Sequence, residues 1–169
     1  PAYELSLGLV GSEMCIRDSH ITWRATASAL ADVDAVADSF AWLVGDEQWV
    51  TVERTQSHHG SEMFLISAHC KKKTAALESF AKLGAENLEH LSTEYEKRID
   101  EHNTFHFRLD LNSLIGSEII LSDASKPDTV KGQIKIEVYP GQTIENEFMS
   151  MIMDATSKVA SHSQQREDL

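Results

Sequence analysis

His58 and His59 are adjacent and His69 follows ten residues on, which invites a metal. Neighbouring residues rarely ligate one ion together, and no carboxylate–histidine motif of ligand spacing accompanies them. They read as surface histidines of a polar turn. Cys70 precedes Lys71, Lys72 and Lys73, so its thiol could be acidified; the other reading is a small core residue. Asp100 and Glu101 form a carboxylate pair. Acid catalysis needs burial or a like-charge clash to shift one of them, and a solvated helix end is the simpler expectation. No Gly-rich phosphate loop, GxSxG or CxxC is present. The residues predict no catalytic group, no metal and no cofactor, hence a protein that is not an enzyme.

A second set points to binding: Arg24, His106, Arg108, Lys131, Lys135, Trp49 and Tyr139. Their value depends on the elements that carry them. Thr104 to Asp110 alternates strictly, with Phe105, Phe107 and Leu109 against Thr104, His106, Arg108 and Asp110. Successive strand side chains point to opposite faces, so this is a strand with one dry and one wet side. His20 to Ala27 alternates likewise, with Arg24 on the polar side. Trp49–Thr55, Glu62–Cys70, Glu118–Leu121 and Val130–Tyr139 read as further strands. Met63 and Leu65 leave Glu62–Cys70 apolar on both faces.

Helical spacing of apolar residues marks Val33–Val44, Lys72–Leu83, Ala85–Asp100 and a last helix capped by Thr143. Leu111–Gly116 is a turn or helical turn. One apolar stripe per helix and one apolar face on several strands give an α+β, two-layer fold. The sheet is mixed or mostly antiparallel, with helices packed on one face.

The other face is then open. Parity places Arg24, Arg108, Lys131 and Lys135 there, with Glu53, Asp110 and Glu137, His20 and His106, and the rings of Trp49 and Tyr139. Three uses fit such a face. Aromatics and cations can stack bases and hold phosphates. Met63, Leu65, Trp49 and Tyr139 could form a homodimer or other protein contact. It could also be plain solvated surface.

Composition bounds these readings. The 169 residues carry a formal charge of −12, with a pI near 5.0. That argues against a generic nucleic-acid or anionic-membrane binder but leaves room for a local basic patch. Two cysteines fit a reducing, cytoplasmic setting without a disulfide framework. No apolar run is long enough to span a bilayer, so no membrane is expected as a partner. Residues 1–19 lack a clean period, and Leu5–Ser19 resembles translated adapter sequence from environmental sequencing. They are expected to be non-native or poorly ordered. They contribute −2 (Glu4, Glu13 and Asp18 against Arg17), leaving −10 for the rest. A single domain is expected over 20–160, with a flexible tail over 161–169.

Arg98-Ile99-Asp100-Glu101, Asn103, Phe105, Phe107 to Asp110, Gly116, Val130-Lys131, Ile134 to Ile136 and Tyr139-Pro140 together carry a family resemblance. The chain resembles the small archaeal proteins described as predicted exosome subunits or RNA-binding proteins. Their fold is similar to that of the ribosomal protein that binds five-S RNA. The likeness covers about residues 20–158. It departs at Leu111-Asn112, where the family often has lysine, and at Ser61-Glu62, where it often has Asn-Pro. The resemblance implies a non-catalytic, RNA-associated protein, accessory to an exosome or to another RNA-processing or ribosomal assembly.

Overall fold

The computed structural model describes residues 20–167; the expectation for residues 1–19 lies outside that range. Alternation sets the first strand, β1 (His20–Ser28), with Ile21, Trp23, Ala25 and Ala27 buried. Helix α1 (Val33–Val44) follows. The Asp32 carboxylate accepts from the Ala35 N–H at 3.0 Å, and Gly45, at φ 79°, ends the helix in the left-handed region. A 3-10 turn (Glu47–Trp49) leads to β2 (Val50–Gln56), which hairpins into β3 (Glu62–Cys70). Helices α2 (Lys73–Ala81), α3 (Ala85–Thr93) and α4 (Tyr95–Arg98) come next. Then come β4 (Thr104–Asp110), α5 (Leu111–Ile115), β5 (Thr129–Lys135) and α6 (Ile144–Glu167).

The strands form one antiparallel sheet in the order β2-β3-β1-β5-β4. The α+β, two-layer expectation stands, and the sheet is wholly antiparallel rather than mixed. The dry faces of β1, β3, β4 and β5 are covered from one side, and the core lies between sheet and helices; the edge strand β2 is exposed beyond Val50. Trp23 meets Phe107 edge-on at 5.3 Å, and Phe148 of α6 packs on Phe105 at 4.4 Å. The buried indole N–H of Trp23 donates to Ser79 Oγ at 2.9 Å, so its polar handle is satisfied inside the core.

Gly132 explains itself at this layer. It sits opposite both Trp23 and Phe107 in the ladder. A Cβ on it would stand 2.4 Å from Phe107 Cζ. The ring lies directly over the backbone, a use of strand glycine that permits close approach.

Several boundaries differ from those read in the sequence. The long helix expected over Ala85–Asp100 breaks at Glu94 (φ −103°, ψ 12°), keeping Leu88, Leu91 and Tyr95 buried. Ile99 is extended and bridges Phe105, which begins the turn into β4. The strand expected over Glu118–Leu121 is one bridge, Leu121 to Leu109. β5 ends at Lys135, not Tyr139, because the Ile136 N–H leaves the ladder for the Asn103 carbonyl. Residues 161–167 continue α6. Among the described residues, no helix is long and apolar enough to cross a membrane.

Candidate nucleic-acid interface

Register decides what the open face presents. Arg24 of β1 pairs with Lys131 of β5, and Lys131 pairs with Arg108 of β4. On the other side Arg24 pairs with Ser67, and Ser67 with Thr51. One cross-strand row therefore reads Thr51–Ser67–Arg24–Lys131–Arg108, with three cations side by side at strand spacing. Like charges directly opposite one another in a sheet are destabilising. Among the described residues neither Arg24 nor Lys131 has a carboxylate within ion-pair distance. Arg108 spends one N–H on Thr129 Oγ1 at 3.2 Å and keeps the rest of its fork.

The neighbouring row is polar and neutral in type: His69–Thr22–Gln133–His106. His106 is held from both sides. Its Nε2 stands 2.7 Å from Asp100 Oδ2, and its Nδ1 stands 3.4 Å from Gln133 Nε2. Contacts at both ring nitrogens fix the orientation of the His106 imidazole. Asp100 was expected to be a solvated helix end; the structure makes it the organiser of this corner. Its Oδ1 accepts from the N–H groups of His102 and Thr104 at 2.8 and 3.0 Å. The His106 hydrogen bond, then that of Thr104, lowers its carboxyl to about 2.

The remaining residues of the binding set divide. Lys135 is on the open face, in the row of His20 and Thr104, where its ammonium donates to the His102 carbonyl. Four residues of strand place it about 13 Å along β5 from Lys131. Asp110 does not neutralise the cation row: its carboxylate caps α5 through Ser113, whose N–H donates at 2.8 Å. Trp49 corrects the parity argument. It lies in the 3-10 turn before β2 and packs against the core, so alternation does not extend to it. Tyr139 lies beyond the end of β5, its N–H donating to Gln142 Oε1 at 3.2 Å. Neither ring stands on the strand rows; Met63 and Leu65 are half-buried on β3.

Cys70 is buried, and desolvation pushes its thiol up to about 11, the reverse of the acidification its lysine neighbours could have caused. Among the described residues no three His, Cys, Asp or Glu side chains gather into a ligand set. His69 is lowered by burial first and by His20 next. Gln133 and Asp100 were missed as site residues. The signal available for Asp100 was an aspartate before a four-residue turn into a strand, closed by Asn103 at φ 59°.

A family model described as RNA binding matches residues 20–139. The chain belongs to this RNA-binding family. The solved structures it resembles include three archaeal proteins. A DUF54 protein from Methanothermobacter thermautotrophicus is 18% identical, with a TM-score of 0.65 over 79% of this chain and 96% of that one. A DUF54 protein from Archaeglobus fulgidus is 21% identical, with a TM-score of 0.62 over 80% and 97%. A third, from Sulfolobus solfataricus, is 16% identical at a TM-score of 0.57 over 79% and 97%. At these identities the likeness shows the shared fold. No curated protein matches the chain. The family matched is an RNA-binding family and not an enzyme family.

Proposed function

We propose that this protein binds RNA without cleaving it, on the open face of its sheet, through phosphate contacts from Arg24, Lys131 and Arg108. The observation that carries the reading is the row itself. Three cations in cross-strand register cost stability in the free protein, and a bound polyanion offsets that cost. His20, His106 and Gln133 beside the row offer imidazole faces and an amide to unstacked bases. The acidic balance of the chain is compatible with this, because at 0.1 M salt charges more than about 10 Å apart are largely screened.

An accessory place in an exosome or ribosomal assembly is the finer reading. It is supported by the family's RNA binding and by a helical layer whose acids, such as Asp34, Glu78 and Glu86, leave it a separate, oppositely charged side for basic protein partners. The test of RNA binding is a mobility shift of a labelled single-stranded oligoribonucleotide at two salt concentrations. The full chain should shift it, less at higher salt, and Arg108→Ala with Lys131→Ala should lose the shift. Equal, salt-independent retention by the double variant would remove the proposal.

A further inference from the structure

The outer edge of β4 is not a uniform strand edge. Near its start the Asp100 N–H donates to the Thr104 carbonyl. Near its end the Asp110 N–H donates to the Ile120 carbonyl, and the Ser122 N–H donates to the Arg108 carbonyl. Even-numbered residues of β4 thus turn their backbone groups outward, and alternation turns those of His106 the same way. His106 lies between the two covering segments. A groove of about 380 Å³ opens there, bounded by Asp100, His106, Arg108, Ser122, Lys131 and Gln133. That is within the range of small-molecule sites.

Two features give the groove a polarity. Its carboxylates are already engaged: Asp100 by His106 and two backbone N–H groups, Asp123 by the Ser125 N–H and hydroxyl. Arg108 and Lys131 line it with donors to spare. Ser122 is the second feature. Only 8% of it is exposed, its Oγ is fully buried, and that oxygen has no hydrogen-bond partner. A buried hydroxyl without a partner is costly and calls for an occupant.

We infer that this groove is a subsite for one nucleotide of the bound RNA, its phosphate held by Arg108 and Lys131 and a polar group of its sugar or base met by Ser122 Oγ, which turns from its closed position into the groove on binding. The inference rests on the RNA-binding reading above and adds the position of a single nucleotide. A ligand that lies across the sheet reaches the edge of β4 at Arg108, the last cation of the row. Arg108 and Ser122 are neighbours across that edge, the Ser122 N–H donating to the Arg108 carbonyl at 2.9 Å, which puts both contacts within reach of one nucleotide.

The experiment is fluorescence anisotropy of a labelled single-stranded oligoribonucleotide with the full chain, across a salt series. Ser122→Ala should weaken binding roughly three- to tenfold, the worth of one hydrogen bond, with an unchanged salt slope. Arg108→Ala should weaken binding and also flatten the slope. Because Ser122 Oγ has no partner in the protein, Ser122→Ala should melt no lower than the parent, which separates lost contact from lost fold. RNA binding by the parent with Ser122→Ala equal to it overturns the subsite and leaves the open-face reading standing. Absence of RNA binding by the parent overturns both.

Discussion

His106 and Asp100 close a 2.7 Å hydrogen bond at the corner where the turn before β4 meets the open face. The pair joins six residues of chain and sets the direction of the imidazole. It also carries a pH dependence. Asp100 titrates at about 2 in the folded protein against an ordinary 3.8. A carboxyl lowered by folding stabilises the fold above its ordinary pKa, and that contribution is lost as pH falls through the folded value. Asp100→Asn should therefore lower the urea midpoint at pH 7, and its deficit against the parent should shrink between pH 4 and pH 2. A deficit that does not change with pH would contradict the assignment.

Gly132 and Phe107 form a packing pair whose energetics can be isolated. Gly132→Ala drives a methyl into the ring and should cost about 1–3 kcal/mol of stability, as overpacking does. Phe107→Leu alone should also destabilise, by leaving part of the core unfilled. In the double variant the two costs should sum to less than their parts, because the smaller side chain removes the clash. Additive costs by denaturant unfolding would mean that the ring does not lie against residue 132.

Most of the fold was legible because alternation is a strong signal in a sheet covered on one side. Phe105, Phe107 and Leu109 face the helices, and Arg24, Arg108, Lys131 and Lys135 face away, as parity required. The signal failed where the backbone stopped being a strand. Trp49 obeyed the count but sits in a 3-10 turn, and Glu137 and Tyr139 lie past the ladder's end. Two features were beyond a single sequence. Register between β1, β5 and β4, which puts three cations in one row, depends on pairing partners distant in the chain. The Asp100–His106 contact depends on a turn whose geometry emerges only once Ile99 bridges Phe105.

Lys131, the middle of the cation row, separates a phosphate site from plain surface, because its two roles have opposite signs. Lys131→Gln relieves repulsion from Arg24 and Arg108, so the free protein should be as stable as the parent or more so, by up to about 1 kcal/mol. Its RNA affinity should fall. Three phosphate contacts on a single strand give a log–log salt slope of about −2 for the parent, and loss of one gives about −1.4. Weaker RNA binding with a flatter salt slope in a protein no less stable is the predicted result. An unchanged affinity and slope in Lys131→Gln would contradict the account.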